Sequence, residues 1–179
     1  MPQTEPKRIG VSFEVKPHAY DPITNPELFD GVLARRVVAF FIDLIILSLP
    51  AVVLTLLFFV FAIVTFGLGA PLLLLLWPTI VIWALLYYGF AFGSPHSATV
   101  GMRMMDLEMR TWYGSPAYFL LGAMHGLLFW LTVGWLTPFI LLVGFFNDRG
   151  RLLHDILLGT VIINNASRAQ ALRGSDRGI

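Results

Sequence analysis

Residues 44 to 95 contain no Asp, Glu, Lys or Arg. This uncharged stretch constrains the fold of the chain more than any other feature of the sequence. A helix that crosses a bilayer needs about 20 predominantly apolar residues. These 52 residues are therefore enough for two spans. Only 13% of the whole chain is charged, whereas a soluble domain carries about 25%. The sequence therefore predicts an integral membrane protein, with the lipid bilayer as a partner.

Polar segments divide the chain into three predicted parts. Residues 1–24 form a cytoplasmic N-terminal arm, residues 25–165 a transmembrane domain, and residues 166–179 a cytoplasmic tail. Asn25, Pro26 and Glu27 are typical of a helix start. Spans are expected at residues 36–64 and 72–92, with a turn containing glycine and proline at 65–71. The first 22 residues lack the apolar region of a signal peptide, so the first span is expected to direct insertion.

The third apolar block, residues 117–146, is too long for one ordinary span and short for two. Lysines and arginines flank each apolar block, but the turn at 65–71 has none. If basic segments stay inside, both termini are cytoplasmic, in a membrane expected to be the bacterial inner membrane. We then expect the third block to form a short or re-entrant helical hairpin, broken near Gly134 and Pro138. The alternative is one long tilted helix with the C-terminal tail outside.

Two short segments have the pattern of β-strands. Met105, Leu107 and Met109 alternate with charged residues, a period of two that favours a half-buried strand. A second run, "GTVII" at residues 159–163, is also strand-like. We expect the two to pair on the cytoplasmic face. The predicted fold class is an all-α polytopic membrane protein with a small two-stranded β element.

Asp43 is an isolated acid at the start of the first predicted span. It lies seven residues after Arg36, hence on the same helix face and about 10 Å further along the axis. Both side chains lean toward the N-terminus of the helix, so Arg36 is a poor direct partner. We expect partners from other segments, in a polar cluster at the cytoplasmic face. The predicted cluster comprises Arg36, Asp43, Arg103, Arg151, His154 and Asp155.

Three interpretations of this cluster are open. Asp43 paired with Arg103 or Arg151 would be a buried ion pair that orients the helices. Alternatively, Asp43 would serve a proton or cation relay, since acids within membranes often mark ion paths. The third interpretation is a contact with lipid or with a partner protein.

Three motifs resemble the RDD family of small membrane proteins: Arg36-x-x-Ala39-x-x-x-Asp43, "ATVGMRMMDLEM" and "RLLHDILLGTVII". The resemblance covers residues 33–164, and it implies that the arginine and the two aspartates of the family name are Arg36, Asp43 and Asp155. Met102 stands where the family commonly has a basic residue, which weakens any anion site proposed for that loop. The family has no settled biochemical activity, although transport has been suggested for it.

Other features of the third block and tail indicate packing rather than chemistry. Gly122 and Gly126 form a small-xxx-small pattern that lets helices approach closely. His125 is interpreted as hydrogen-bonded to a neighbouring helix, or alternatively as a cofactor ligand. The chain has no cysteine and no His-Glu-x-x-His spacing, so no metal and no cofactor are expected. Arginines of the tail are too sparse to predict nucleic-acid binding.

Two functions follow as hypotheses. The first is a non-enzymatic structural or accessory subunit that packs against a larger membrane complex, or a homo-oligomer. The second is a small ion or solute transporter or antiporter that uses Asp43. A route across the membrane would then need His125, Ser48, Thr55, Thr79 or several copies of the chain.

Overall fold

The structure is a computed structural model that describes residues 18–176, with side chains described except at 133–142, 145 and 176. Within residues 18–176 it contains six α-helices and two β-strands. In chain order these are α1 (Val32–Val64), α2 (Leu76–Phe92), α3 (Val100–Met104), β1 (Leu107–Thr111), α4 (Phe119–Phe145), α5 (Leu153–Leu158), β2 (Thr160–Asn164) and α6 (Ala166–Asp176). Two short 3-10 helices, Pro26–Leu28 and Ala70–Leu75, precede α1 and α2. Most of the predicted arm, residues 1–17, lies outside the described residues.

Two helical stretches of the described chain are long and apolar enough to cross a membrane, Pro26–Val64 and Ala70–Phe92. This confirms the two long apolar helices predicted from the uncharged stretch. The predicted helix start at Pro26 is only a 3-10 turn, and Asn25 makes no side-chain cap bond there. Gly31, with a φ of 64°, separates this turn from α1. Its positive φ strongly favours glycine and ends the turn before the long helix begins.

The third apolar block is helical from Phe119 to Phe145 (α4), without the interruption of helical structure predicted near Gly134 and Pro138. Glycine and proline are tolerated inside helices in an apolar environment, where neighbouring groups satisfy the freed backbone. Near the start of α4, Phe119 packs on Gly93, which directly follows α2, and near its end Gly144 packs on Leu33 and Leu152. Both ends of α4 therefore contact the end of the molecule at which α1 begins.

The predicted two-stranded sheet is confirmed. β1 and β2 pair antiparallel, with Met109 opposite Ile162. Leu107 and Met109 are fully buried on one face of β1, as the alternating pattern predicted. The guanidinium of Arg35 donates to the backbone oxygen of Met105 at 3.0 Å and also contacts the Asn164 amide. These bonds attach the sheet to the first turn of α1.

Segments at both ends of the described chain pack against this same region. The last part, predicted as a tail, forms the helix α6, and Arg173 forms a salt bridge with Glu27. From the arm, the backbone N–H of Ala19 donates to the Trp112 carbonyl at 3.1 Å. The His18 ring lies 4.1 Å from the Trp112 ring, centroid to centroid. One end of the molecule therefore collects the sheet, α3, α5, α6 and both ends of α4.

Candidate functional site

Asp43 is held by three hydrogen-bond donors from α2 and the start of α3. Its Oδ1 accepts from the Tyr87 hydroxyl at 2.5 Å and from the backbone N–H of Gly101 at 2.8 Å. Its Oδ2 accepts from the Thr99 hydroxyl at 2.5 Å. Only 4% of Asp43 is exposed. The Asp43 carboxyl group therefore accepts hydrogen bonds at both of its oxygens.

The short helix α3 is what brings these donors to Asp43. Thr99 is its N-cap, and the Thr99 hydroxyl oxygen accepts from the backbone N–H of Met102 at 3.2 Å while donating to Asp43. Gly101 lies so close to α1 that an added Cβ would overlap the carbonyl oxygen of Ala39. The absence of a side chain therefore allows the Gly101 amide to reach the carboxylate.

Asp155 forms the second centre of the site, at the start of α5. Its Oδ2 pairs with the guanidinium of Arg36 at 2.7 Å and accepts from the backbone N–H of Leu152 at 2.9 Å. Asp155 is completely buried. Burial raises the pKa of its carboxyl, but the adjacent Arg36 guanidinium outweighs this and holds the pKa below its ordinary value. Arg36 also donates to the Gly150 carbonyl at 3.1 Å, which fixes its guanidinium between α1 and the segment before α5.

Two buried histidines face the other oxygen of this carboxylate. His125 Nδ1 and His154 Nε2 each lie 3.7 Å from Asp155 Oδ1. The two imidazole rings are 4.7 Å apart, centroid to centroid. Burial lowers the pKa of His154 to about 4, so its imidazole is neutral at physiological pH. His125, His154 and Asp155 are the described residues whose ligand atoms lie close enough together to hold a metal ion.

The structure brings only part of the predicted cluster together. Arg36 and Asp155 meet directly, with His154 beside them. Arg151 is buried nearby, but it donates to the carbonyl oxygens of Thr160 and Asp155, and its guanidinium lies 4.7 Å from the centroid of the Trp112 ring. Arg103 is exposed on α3. Neither Arg103 nor Arg151 is a partner of Asp43, whose charge is met by hydroxyl and amide donors instead.

Tyr87, Thr99 and Gly101 were not among the predicted site residues, and His125 was considered only by itself. The sequence contains one local signal for the first group, since a threonine before "VGMRM" is a typical N-cap. Tyr87 offers no such signal, because aromatic residues at a helix end are also typical of membrane surfaces. His125 is far from His154 and Asp155 in the sequence. Their contact depends on the path of α4 and could not be predicted from the sequence.

The predicted packing glycines lie where α4 crosses α2. An added Cβ at Gly122 would come within 2.6 Å of the Phe92 Cβ, and one at Gly126 within 2.5 Å of the Tyr88 ring. This close approach positions His125, between the two glycines, against the Phe92 ring at 5.2 Å, centroid to centroid. The glycines therefore determine how deeply His125 enters the site.

A cavity of about 280 Å³ connects the two centres. Its polar lining residues are Arg36, Asp43, Thr99, His125 and His154, and its other walls are largely apolar. Val37 and Phe41 line it and are also exposed on the outside of α1, which places its mouth beside that helix. The cavity is thus an apolar pocket with a polar end.

The hydroxyl groups considered for a route across the membrane are engaged within their own helices. Ser48 donates to the Ile45 carbonyl, Thr55 to that of Ala51 and Thr79 to that of Leu75. All three of these hydrogen bonds are exposed rather than buried within the chain. Among the described side chains, these hydroxyls therefore do not continue the polar end of the cavity along α1 and α2.

Comparison with known proteins identifies one family. The sequence profile of the RDD family matches residues 31–159. No curated protein and no solved structure matches the chain. The matched region includes Arg36, Asp43 and Asp155, and the two long apolar helices make this a membrane protein. Because the profile covers well over half of the sequence, the chain belongs to the RDD family.

Proposed function

We propose that this RDD protein is a non-enzymatic accessory subunit that packs against a larger membrane complex. The observation that carries the proposal is that the second half of α1, residues 48–64, is bare, because the rest of the chain does not cover it. The buried residues of α1 are Val32, Ala39, Asp43 and Leu47, so none of residues 48–64 is buried within the chain. Large apolar side chains such as Val53, Phe59 and Ile63 are more than half exposed there. This surface is available to lipid or to the helices of a partner.

The polar residues support a structural role at the opposite end of α1. The Asp43 carboxylate joins α1 to α2 and α3, and the Arg36–Asp155 pair joins α1 to α5. Buried polar pairs of this kind specify one arrangement more than they add stability. The proposed accessory protein thus combines a rigid end, which holds the sheet, α3, α5 and α6, with two apolar helices that extend from it.

Photo-crosslinking in the native membrane tests the accessory role. A photoreactive amino acid replaces Phe59 in the bare half of α1, and a matched control replaces the exposed Tyr113 at the rigid end. We expect adducts with a different membrane protein from position 59, and none with that protein from position 113. Adducts with lipid alone would contradict the proposal. Adducts with a second copy of the chain would replace it with a homo-oligomer.

Transport is the second candidate, and one observation favours it. Within the described residues, no arginine, lysine or histidine forms an ion pair with Asp43, so its charge faces the cavity region without a cationic partner. A cation could neutralise it. Against this role, the hydroxyls of Ser48, Thr55 and Thr79 are bonded within their own helices.

We also propose that the protein lies in the bacterial inner membrane with the rigid end and both termini in the cytoplasm. The clustering of basic residues near that end supports this orientation. The absence of natural cysteine permits a direct test by single-cysteine labelling. Ala171→Cys in α6 should react with a membrane-impermeant maleimide only from the cytoplasmic side. Leu68→Cys, in the turn after α1, should react only from the other side; labelling of both from one side would overturn the orientation.

A further inference from the structure

We propose that His125, His154 and Asp155 bind a divalent first-row transition metal ion such as Zn²⁺, which links α4 to α5. This site is independent of the accessory role. All three residues are buried, and their ligand atoms lie within 4.8 Å of one another. Two imidazoles and one carboxylate are a ligand set that zinc commonly takes, with the fourth position left to water or another ligand.

Two of the three polar atoms that face one another here lack hydrogen-bond partners. Asp155 Oδ1 and His125 Nδ1 are both buried without one. Such groups are rare in folded proteins, because an unpartnered buried polar atom costs about 1–3 kcal/mol. A metal ion between them would use the lone pairs of both atoms at once. The absence of hydrogen-bond partners at these two buried atoms is the observation that points to a ligand.

The separations between the atoms suit coordination better than hydrogen bonding. Asp155 Oδ1 lies 3.7 Å from His125 Nδ1 and 3.7 Å from His154 Nε2. A hydrogen bond between such atoms would measure about 2.7–3.2 Å. Ligand atoms placed tetrahedrally about 2.0–2.1 Å from zinc are roughly 3.3 Å apart. Small side-chain movements would therefore bring all three atoms to zinc distance.

The surroundings of Asp155 prepare it to be a metal ligand. Arg36 and the Leu152 N–H occupy Oδ2 and leave Oδ1 pointing at the two histidines. Groups that bond to the other atom of a ligating side chain and so fix its orientation are typical of protein metal sites. The nearby cation Arg36 opposes a divalent ion, whereas the Asp155 carboxylate paired with Arg36 attracts it. Asp43 lines the adjoining cavity and supplies a second carboxylate there.

The cavity supplies space for the remaining coordination position. His125 and His154 both line it, together with apolar rings such as Phe92 and Phe129. Its volume of about 280 Å³ exceeds the roughly 30 Å³ of one water molecule. A bound ion would therefore retain an open position toward the cavity.

Metal analysis of the full-length protein tests the site. The protein is purified in detergent with an affinity tag that contains no histidine, loaded with Zn²⁺, desalted and analysed by mass spectrometry. The variants are His125→Gln and His154→Gln, with His96→Gln as the matched control because His96 is exposed on the loop before α3. We expect about one zinc per chain in the wild type and control, and at least about tenfold weaker binding in the two site variants.

Two results would overturn the proposal. A wild-type protein that retains no zinc would mean that the two histidines and Asp155 are packed together without a metal ion. Equal zinc content in all variants would place the ion elsewhere. If the two site variants fail to fold, the visible spectrum of Co²⁺ added to the wild type decides. Intense tetrahedral absorption supports the site, and the weak spectrum of octahedral, water-ligated Co²⁺ contradicts it.

Discussion

At the scale of single residues, Asp43 shows how a membrane helix can contain an acid without an arginine beside it. Its carboxylate accepts hydrogen bonds from one hydroxyl of α2, and from a second hydroxyl and a backbone amide at the start of α3. Hydrogen bonds to a charged group contribute about 1.5–3 kcal/mol each, more than bonds between neutral groups. Three of them offset the cost of holding the charge in an apolar setting. The acid is therefore consistent with a role in joining three helices.

The substitution Asp43→Asn tests that role at one position. The amide has nearly the same shape, but it replaces one acceptor oxygen with a donor and removes the charge. We expect the free energy of unfolding in detergent micelles to fall by about 2 kcal/mol. The matched control is Asp148→Asn, because Asp148 is exposed. Equal stability of the two variants would show that the bonds to Asp43 do not support the fold.

At the scale of the elements, α3 is the shortest of the described α-helices and lies in close contact with α1. It has five residues, begins at the Thr99 cap and presents the backbone amide of Gly101 to Asp43. Gly101 is the contact point, because a Cβ there would overlap the Ala39 carbonyl and lie 2.9 Å from the Asp43 Cγ. Both obstacles belong to α1, and the first is main chain that cannot rotate away. α3 therefore depends on this glycine for its position.

Replacing Gly101 with alanine tests the contact. Relief of the overlap requires α3 to move away from α1, which would lengthen the bonds from Thr99 and Gly101 to Asp43. We expect a loss of about 2–3 kcal/mol in unfolding free energy, in the range measured for overpacked cores. The control is Gly174→Ala in α6, where no atom lies within 4 Å of the added Cβ. That control should be neutral or slightly stabilising, and equal effects at both positions would contradict the proposed contact.

Local patterns were sufficient to predict some elements and not others. The uncharged stretch and the period-two pattern around Leu107 and Met109 predicted α1, α2 and the sheet, because burial imposes those patterns directly. The helical structure through Gly134 and Pro138 could not be predicted, since both residues disfavour helices in water and are tolerated where neighbouring groups satisfy the freed backbone. α6 was missed because its polar sequence resembles a solvated tail, and its contact with Glu27 is tertiary.

Several members of the candidate site could be predicted from the sequence, but the pairs that they form could not. Arg36, Asp43 and Asp155 were all expected at one end of the molecule, and charge placement was enough for that. The partners of Asp43 depend on where α3 docks, and the partner of Asp155 depends on the turn that follows α4. Contacts across elements of this kind carry no periodic signal in the sequence.

At the scale of the whole molecule, polar and apolar features are separated. The buried acids, arginines and histidines lie at the end that holds the sheet, α3 and α5. Beyond Leu47, no residue of α1 is buried, and the hydroxyls of Ser48 and Thr55 bond to their own helix. A single copy thus offers a rigid polar end and an apolar pair of helices. This arrangement favours packing in the bilayer over conduction through it.

Ion flux through proteoliposomes is the most direct test of whether Asp43 serves architecture or transport. The purified wild-type protein is reconstituted with an internal dye for H⁺ or Na⁺, and the flux is compared with that of protein-free liposomes. Asp43→Asn and Asp148→Asn are reconstituted at matched protein content. We predict no flux above the protein-free level for the wild type or either variant. Flux in the wild type that persists in Asp148→Asn and disappears in a folded Asp43→Asn protein would contradict the architectural role.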